Sequence, residues 1–574
     1  MDTIELDLAA ADRQAFGPGY DRPEDLEDNC ELIRDGVLRL PPHPEWVGNL
    51  TDWKADPFND RNWKFQHHTL RWINPLRWAA LDGDATARDL WVKITHSWVE
   101  ENIPAEKSPS PFSWKDMADG NRAIQLSLGA RLIGAEDHVW YLPALRYHRD
   151  WLLNENHIVG KNHGLHQHAG LLVVGAVLGD RQAMSVAHAR MVDQFKATFD
   201  PQGGNDEGST AYHQMNLRWW TQSWKRADLE GMRVPETVSH RRAAAGLALA
   251  HMAQPDGRLP QIGDSASGGV NVGMDEVADF AATRGKHGQK PGTTTLVLDR
   301  GYVMSRSGWG ETRPIMQESH MLLRFGADLR AHSHEDRGSL HIYSRGRAWL
   351  VDSGFHSYQT GDPTREYLHS RQAHNVAELV GVSHRDTEPI ELIRQVVSHE
   401  FHDFLILDRG YSKATLCRRV TYLVGPDCWI VTDSTETREN STLRQSWHVD
   451  VGVTVARHDR GFELRDGNSS LAMTWLGRLP QLRRHQAVEG DQRGWIGKRW
   501  KTKVPGTLIT AESTGMNPGL ITLIAPSVPQ EIGVVRSYLT TTGILDAVLM
   551  RGPRVWRIRI DKKTVRVVEQ KRTW

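Results

Sequence analysis

The chain has 574 residues, of which 39% are apolar and 25% charged, as in an ordinary soluble globular protein. Its length exceeds what one hydrophobic core usually spans, so two or more domains are expected. The formal net charge of −1 gives no global field that would attract nucleic acid or an anionic membrane, so neither is expected as a partner. A polyanionic substrate stays compatible with local basic clusters.

The number of cysteines and the composition of the first residues predict the cellular compartment of the protein. Cys30, Cys417 and Cys428 are too few for a disulfide framework, although a single bridge between Cys417 and Cys428 stays open. The opening stretch MDTIELDLAAADRQAF is acidic and has no long apolar segment, so no signal peptide is predicted. The chain as given is expected in the cytoplasm, or in the periplasm or outside the cell if a leader was removed.

The first part of the chain, 1–295, is predicted to be a helical domain. Stretches such as ATARDLWVKITHSWVEENI, RAIQLSLGARLIGA and RQAMSVAHARMVDQFKATF repeat apolar residues with helical spacing and are separated by short polar or Gly/Pro turns. Many consecutive amphipathic helices with short links favour helical hairpins stacked or closed into a ring. No fixed-period sequence repeat accompanies them.

The second part, 296–574, is predicted to be a large antiparallel β domain. Stretches such as TTTLVLDRGYVMSRSG, GSLHIYSRGRAWLVDSG and RRVTYLVGPDCWIVTDS alternate apolar and polar residues and end at Gly, Asp or Pro. A block of helices followed by a block of strands indicates separate domains rather than one doubly wound sheet.

Two helix starts carry polar residues that are candidates for chemistry. In GKNHGLHQHAG, Asn162 and His163 offer an amide and an imidazole, or alternatively Asn162 caps the helix and the histidines are solvated. In DPQGGNDEGSTAYHQMNLRWW, an acidic turn with Glu207 leads into a helix whose first turn contains Tyr212. A tyrosine on an apolar stripe can equally be part of the core.

A third cluster comes from the β region. His332 and His334 in RAHSHEDRG are two residues apart and point to the same face of a strand. Asp352 and His374 lie further along the same region. Three ligands drawn from His and Asp, with one open position, suit Zn²⁺.

Taken together, these segments resemble the heparinase II/III-type polysaccharide lyases, which include heparan-sulfate and oligoalginate lyases. The resemblance runs from DWKADPFNDRNWKFQHHTLRW onward and is most specific in HSHEDRGSLHIYSRGRAWLVDSG and AHN. It implies an N-terminal incomplete (α/α) toroid, followed by a C-terminal antiparallel β-sandwich domain, with a substrate cleft. It also implies cleavage of 4-linked uronic-acid glycans, of the glycosaminoglycan or the alginate type, by β-elimination.

The resemblance also implies roles for particular residues. Asn162 and His163 hold and neutralise the uronate carboxylate, Tyr212 is a catalytic acid and in some members also the base, and His332 is the second catalytic group. The resemblance also implies that His334, Asp352 and His374 form a structural Zn²⁺ site. An acidic sugar needs cations and polar groups around it, so the candidates for substrate contact are Gln167, Glu207, Arg330 and Arg371. No organic cofactor is expected, and a homo-oligomer stays open. One departure from many relatives is Asn205-Asp206, where they carry Ser-His.

Three other functions stay open. HSHED also fits a metal-dependent hydrolase with Asp336 as an additional ligand, although the sequence predicts strand on both sides of the motif. A glycoside hydrolase would need two positioned carboxylates, and only Glu207 lies in a suitable loop. A non-catalytic glycan-binding protein would leave the co-occurrence of Asn162, Tyr212 and His332 without a reason.

Overall fold

The computed structural model describes residues 6–13, 19–327, 331–385, 387–527, 532–539, 544–561 and 563–571. In these ranges the α-helices are α1 (Leu8–Asp12), α2 (Leu26–Arg34), α3 (Arg61–His68), α4 (Asn74–Leu81), α5 (Ala85–Asn102), α6 (Ala118–Leu128), α7 (His138–Leu153), α8 (Lys161–Val177), α9 (Arg181–Thr198), α10 (Thr210–Leu229), α11 (Glu236–Met252), α12 (Glu276–Ala282) and α13 (Pro363–His369).

The strands are β1 (Val37–Leu38), β2 (Trp46–Val47), β3 (Arg258–Leu259), β4 (Gly268–Gly269), β5 (Thr295–Leu298), β6 (Tyr302–Arg306), β7 (His320–Arg324), β8 (Leu340–Ser344), β9 (Arg347–Leu350), β10 (Ala377–Leu379), β11 (Glu391–Val397), β12 (Phe401–Asp408), β13 (Ala414–Leu423), β14 (Cys428–Thr437), β15 (Ser441–Val449), β16 (Thr454–His458), β17 (Gly461–Asp466), β18 (Ser469–Leu476), β19 (Gln481–Gln486), β20 (Trp495–Arg499), β21 (Thr502–Pro505), β22 (Thr507–Gly515), β23 (Gly519–Ser527), β24 (Ile532–Leu539), β25 (Leu545–Arg551), β26 (Arg554–Ile560) and β27 (Val565–Lys571).

The chain packs as two compact units that do not follow chain order. The first contains Met1–Pro201 and Met215–Arg242, and the second contains Gln202–Gln214 and Ala243–Trp574. The acidic turn and the start of α10 therefore pack with the β region, although most of the helices that surround them in sequence belong to the first unit. This division places Tyr212 in the same unit as His332.

Local sequence explains the helices of the first unit. Asp84 and Asp180 cap α5 and α9, since each carboxylate accepts a hydrogen bond from a backbone amide of the first turn. Helix α8 is buried along nearly its whole length, and its second half, AGLLVVGAV, is apolar on all sides, as expected of a helix at the centre of a domain. It approaches α6 so closely that a Cβ on Gly170 would lie 2.6 Å from the carbonyl oxygen of Gly120.

The second unit is built from antiparallel sheets. A nine-stranded sheet has the order β19-β22-β15-β9-β8-β7-β6-β5, with β10 also paired to β15, and an eight-stranded sheet has the order β11-β12-β13-β14-β23-β18-β17-β16. A four-stranded sheet, β24-β25-β26-β27, contributes Leu549 and Trp556 to a second core with Ile430 of the eight-stranded sheet. The predicted antiparallel β region is thus observed.

The core between the two large sheets is rich in tryptophan. Trp349 and Trp447 on the nine-stranded sheet belong to the same buried cluster as Trp429 and Trp475 on the eight-stranded sheet. Removing such large apolar surfaces from water stabilises the fold by roughly 25 cal/mol per Å². Trp475 also donates a hydrogen bond from Nε1 to Oε1 of Gln445 at 2.9 Å, which links the two sheets.

Two sequence-level questions are settled by the described residues. Cys30, Cys417 and Cys428 form no disulfide, so the bridge that was left open between the last two is absent. In the parts of the chain that the structure describes, no helix is both long and apolar enough to cross a membrane.

Candidate active site and metal-binding cluster

Tyr212 lies in the first turn of α10. The hydroxyl of Ser209 accepts a hydrogen bond from the Tyr212 amide at 3.3 Å, as expected of a serine that caps a helix. The same hydroxyl lies 2.8 Å from that of Ser265, and Thr210 donates to the carbonyl of Pro260 at 2.5 Å. These contacts fix the start of α10 against the segment that contains residues 260–265.

Three aromatic rings meet around Tyr212. Its ring stacks face to face on the imidazole of His332, with centroids 3.5 Å apart and planes inclined by 10°. The Tyr212 hydroxyl lies 2.9 Å from the hydroxyl of Tyr358, and the Tyr358 ring stands edge-on to His332 at 6.1 Å. The structure therefore brings together two predicted catalytic residues, Tyr212 and His332, and adds Tyr358.

The surroundings keep the tyrosine hydroxyls protonated. Burial raises the pKa of Tyr212 well above its ordinary value, and Tyr358, Asp264 and Glu207 raise it further. Burial and the charge of Asp264 also raise the pKa of Tyr358. Since a tyrosine ordinarily titrates near ~10, both hydroxyls are neutral at physiological pH. A neutral phenol is the form that a general acid requires.

His332 is held through both its side chain and its backbone. Its Nδ1 lies 2.9 Å from Oδ2 of Asp264, and its Nε2 lies 3.5 Å from Oε2 of Glu207. The His332 amide donates to the carbonyl of Glu207 at 3.0 Å, and the Asp264 amide donates to the carbonyl of His332 at 2.9 Å. Gly263, at φ +61°, permits this approach, because a Cβ there would lie 2.3 Å from the His332 carbonyl oxygen.

The predicted metal ligands also lie together. His334, Asp352 and His374 are buried, and one donor atom from each lies within 4.8 Å of the others. His374 Nδ1 lies 2.8 Å from Asp352 Oδ2. Among the described residues, His334 Nδ1 and His374 Nε2 are buried without a hydrogen-bond partner. Buried nitrogens that lie beside a carboxylate and have no protein partner are suited to bind a divalent metal, so the residues fit Zn²⁺.

Electrostatics around Asp352 fit the same interpretation. Burial would raise its pKa, but His374, His341 and His334 outweigh burial and hold the pKa well below its ordinary value. Asp352 and His341 also line a cavity of about 680 Å³. The ionised carboxylate is therefore available as a metal ligand.

Asp264 connects the two clusters. While Oδ2 contacts His332, Oδ1 lies 3.1 Å from His334 Nε2 and 3.3 Å from His369 Nε2. Burial would raise the pKa of Asp264, but hydrogen bonds from the three histidines hold it well below its ordinary value. Asp264, His334 and His369 also place one donor atom each within 4.8 Å, so two groups with metal-ligand chemistry share His334.

The predicted carboxylate-binding pair lies in the first unit. Helix α8 begins at Lys161 after Gly160, so the interpretation of Asn162 as the helix cap is wrong. His163 Nδ1 lies 2.5 Å from Oδ1 of Asp116, and its side chain is 40% exposed. Burial alone would raise the pKa of Asp116, but the hydrogen bond and charge of His163 outweigh burial and hold the pKa below its ordinary value. The carboxylate is therefore ionised and orients the imidazole.

The predicted substrate contacts have different surroundings. Gln167 is buried, and its amide bonds to Asp119, to the carbonyl of His157 and to the amide of Val159. Arg371 is buried with its guanidinium 3.1 Å from Asp408. Both side chains are engaged within the protein, so a direct substrate contact finds no support in their positions.

The two other candidates differ from these. Glu207 is buried beside His332, where it can act on that imidazole rather than on an exposed sugar. Arg330 lies outside the described residues.

Sequence reasoning missed Asp264, Tyr358 and His369. Asp264 contacts His332 across 68 residues, and nothing in LPQIGDSASGG identifies it beyond a polar turn after an apolar run. Tyr358 follows the VDSG turn by four residues and could have been selected from its closeness to Asp352. His369 was overlooked because His374, in the same segment, fitted the expected ligand set.

Comparison with known proteins identifies the family of the chain. Residues 43–285 match the heparinase II/III N-terminus, and residues 298–508 match the heparinase II/III-like C-terminal region. A heparin-sulfate lyase of Bacteroides stercoris is 19% identical over 72% of this chain and 68% of its own length. A heparin-sulfate lyase of Pedobacter heparinus is 21% identical over 71% of this chain and 70% of its own length.

Solved structures give the same result for the fold. The crystal structure of heparinase III superposes with a TM-score of 0.78 at 14% identity, over 98% of this chain and 94% of that one. This likeness confirms the predicted fold class, an incomplete (α/α) toroid followed by an antiparallel β-sandwich. With both family regions matched along most of its length, the chain belongs to the heparinase II/III family.

Proposed function

We propose that this protein is a polysaccharide lyase that cleaves 4-linked, uronic-acid-containing glycosaminoglycans of the heparan-sulfate type by β-elimination. The observation that carries the proposal is the stacking of Tyr212 on His332 at 3.5 Å, with Tyr358 hydrogen-bonded to the Tyr212 hydroxyl. The substrate class is supported by the two relatives described as heparin-sulfate lyases. The product carries a double bond between C4 and C5 of the uronate.

The reaction removes H5 of the uronate and expels the oxygen at C4. H5 is weakly acidic because the carbanion that forms beside a carboxylate is poorly stabilised. The enzyme therefore needs a base at H5, an acid at O4 and donors that neutralise the carboxylate. No hydrolytic water takes part.

Tyr212 is the acid in this mechanism. Its raised pKa keeps the proton on the hydroxyl until the leaving oxygen develops charge. Tyr358, 2.9 Å away, can return a proton to Tyr212 after each turnover. The same raised pKa opposes Tyr212 as the base, since no nearby cation stabilises a phenolate among the groups that shift it.

His332 is the base. Its imidazole lies against the Tyr212 ring, so the proton-accepting and proton-donating groups belong to one cluster. Asn162 and His163 keep the role that the family resemblance implies, as donors to the uronate carboxylate. Removing one such donor typically costs about 10²–10³-fold in rate.

His334, Asp352 and His374 would hold a structural Zn²⁺ ion. The ion would cross-link the segment after β9, which carries Asp352, to the segments that carry His334 and His374. These residues supply two imidazoles and one carboxylate, a donor set that favours zinc over calcium. The three residues bind and orient the ion, and none of them enters the chemical step.

The hydrolase alternatives are not favoured by the geometry. Asp336, the additional ligand that HSHED would supply to a metal-dependent hydrolase, is fully buried and lies 3.3 Å from Arg324. The carboxylates of Glu207 and Asp264 both face His332, where they orient an imidazole instead of flanking an open glycosidic bond.

The test is the ultraviolet absorbance of the unsaturated uronate. The protein would be incubated with heparan sulfate, heparin, hyaluronan, chondroitin sulfate, alginate and glucuronan, and new reducing ends would be measured in parallel. The lyase proposal expects absorbance to rise with heparan sulfate. New reducing ends without absorbance would contradict it and favour hydrolysis.

A further inference from the structure

Two groups with metal-ligand chemistry share one histidine, and the shared residue decides which group is the metal site. His334 has Nε2 directed at Asp264 at 3.1 Å, whereas its Nδ1 is buried with no hydrogen-bond partner among the described residues. A neutral imidazole binds a metal through one nitrogen and donates a hydrogen bond from the other. The unused nitrogen is therefore the ligand atom.

This assignment gives Asp264 a different part from the ligands. A metal-bound histidine usually donates its second N–H to a carboxylate, which fixes the orientation of the ring and strengthens it as a ligand. Asp264 Oδ1 occupies that position for His334. Asp264 is thus an outer support of the zinc ligand His334, whose Nδ1 belongs to the group with Asp352 and His374.

The other oxygen of the same carboxylate contacts the catalytic histidine. Asp264 Oδ2 lies 2.9 Å from His332 Nδ1, and the Asp264 side chain is only 3% exposed. A carboxylate in this position orients the imidazole through its Nδ1. Because the one buried carboxylate of Asp264 contacts both rings, a movement of either ring shifts the carboxylate and so changes the orientation of the other ring.

We infer that Asp264 is a positioning residue that couples the zinc site to the catalytic base, by orienting the zinc ligand His334 and the base His332 with one carboxylate. The inference rests on the proposed lyase function for its catalytic half only. Its metal-binding half stands on the geometry of His334 and can be tested without any turnover.

The matched variants are Asp264→Asn and Glu207→Gln. Asn has the shape of Asp but can accept at only one end, so it cannot receive N–H groups from both histidines. Glu207 lies 3.5 Å from His332 Nε2, which makes it a second carboxylate at the same imidazole, whereas Asp264 contacts His334 as well. Folding of each variant is checked by circular dichroism and thermal melting.

Zinc affinity is measured by competition with a chromophoric chelator on the full-length protein. Asp264→Asn is expected to weaken zinc binding about 10–100-fold, the usual effect of removing an outer-shell carboxylate. Glu207→Gln is expected to leave zinc affinity unchanged, and the wild-type protein is expected to bind one zinc ion per chain. Unchanged affinity in Asp264→Asn, or two zinc ions per wild-type chain, would overturn the inference.

Measurements of kcat and KM distinguish a positioning role of Asp264 from a general loss of structure in its variants. For Asp264→Asn, kcat is expected to fall about 10²–10⁴-fold, the range seen when a supporting carboxylate forces the wrong tautomer, while KM changes little. Asp264→Glu keeps the charge and is expected to recover part of kcat. A fall confined to KM, or no recovery by Glu, would contradict the positioning role.

A spectroscopic measurement covers the case in which the variant does not fold or the wild type has no activity on the glycans tested. Imidazole N–H groups that donate to a buried carboxylate give proton NMR signals downfield of the amides. The zinc-loaded wild-type protein is expected to show two such signals that depend on Asp264, one absent in His332→Asn and the other in His334→Asn. Absence of the His332 signal from the wild type would overturn the inference, whatever the substrate proves to be.

Discussion

The hydroxyls of Tyr212 and Tyr358 lie 2.9 Å apart, although 146 residues separate the two tyrosines in the chain. Tyr212 comes from the first turn of α10, and Tyr358 from the segment between β9 and α13. The pair joins a helix start and a β-domain loop within the second unit. It gives Tyr212 a neighbour through which the proton lost to a leaving sugar can be replaced.

Replacement of Tyr212 tests the acid. Tyr212→Phe is expected to lower kcat on heparan sulfate about 10²–10⁴-fold, since it removes the proton donor but keeps the ring on His332. The readout is the rate of ultraviolet absorbance increase. Tyr367→Phe is a matched control, because the Tyr367 hydroxyl is buried without a hydrogen-bond partner among the described residues. Equal rates for both variants would remove Tyr212 from the mechanism.

Replacement of Tyr358 tests the proton relay. Tyr358→Phe leaves Tyr212 in place, so kcat is expected to fall by less than in Tyr212→Phe, about 10-fold, with residual activity supported by solvent. Steady-state kinetics at several buffer concentrations is the measurement. If the relay is real, small proton-donating buffers should restore part of the rate of Tyr358→Phe and leave the wild type unaffected.

The carboxylate-binding pair can be tested in the first unit. His163→Ala is expected to lower kcat about 10²–10³-fold, because it removes a donor that stabilises the developing charge. Asp116→Asn should give a smaller loss, since Asp116 only orients the imidazole at 2.5 Å. His240→Ala, at an exposed position in the same unit, is the control. A His163→Ala rate equal to that of the control would show that His163 does not act on the substrate.

Removal of zinc tests the metal site. Chelation is expected to lower the melting temperature, because an ion that binds only the folded state stabilises it by about 2.7 kcal/mol when free zinc is 100 times Kd. Asp352→Asn should bind zinc far more weakly and melt at the same temperature with or without chelator. Differential scanning fluorimetry with metal analysis makes both measurements. A wild-type protein that melts unchanged after complete metal removal would contradict a stabilising role.

Acid should destabilise the protein through its buried histidines. Burial lowers the pKa of His213 from 6.5 to about 4, so between these values the unfolded chain binds a proton that the folded chain does not. Stability is therefore full above pH 6.5 and is lost as the pH falls toward 4, by about 3 kcal/mol for this residue. Urea denaturation of His213→Gln should show a shallower loss across this window, whereas the exposed His240→Gln should follow the wild type.

The sequence predicted most of the elements because local patterns determine them. Helical spacing in ATARDLWVKITHSWVEENI and strand alternation in RRVTYLVGPDCWIVTDS correspond to α5 and to β13 and β14. Side chains that alternate or repeat every third or fourth residue must bury one face, and this constraint acts within a short stretch of chain. Tyr212, His332 and the three candidate metal ligands could also be selected from the sequence, because each stands in a distinctive segment that resembles the family.

The partners of those residues could not be found in the same way. Asp264 stands in a plain Ser/Gly-rich loop, and Gln167 stands in the most distinctive motif of the helical region. Yet Asp264 contacts three histidines, whereas the Gln167 amide is occupied by Asp119 and backbone groups. These hydrogen bonds join residues that are 48 to 70 positions apart in the sequence, so they depend on how the chain packs. The local composition around each residue does not predict them.

By itself, the sequence determined the family, the succession of helices and strands, and the set of side chains capable of acid–base and metal chemistry. Only the tertiary structure decided that Tyr212 lies in the same unit as His332, that the Tyr358 hydroxyl lies beside that of Tyr212, and that the Asp264 carboxylate contacts both His332 and His334. The physical reason is the separation in sequence over which the two kinds of interaction act. Backbone periodicity is set by neighbours a few residues apart, whereas a site is set by where buried polar groups find partners when distant segments pack together.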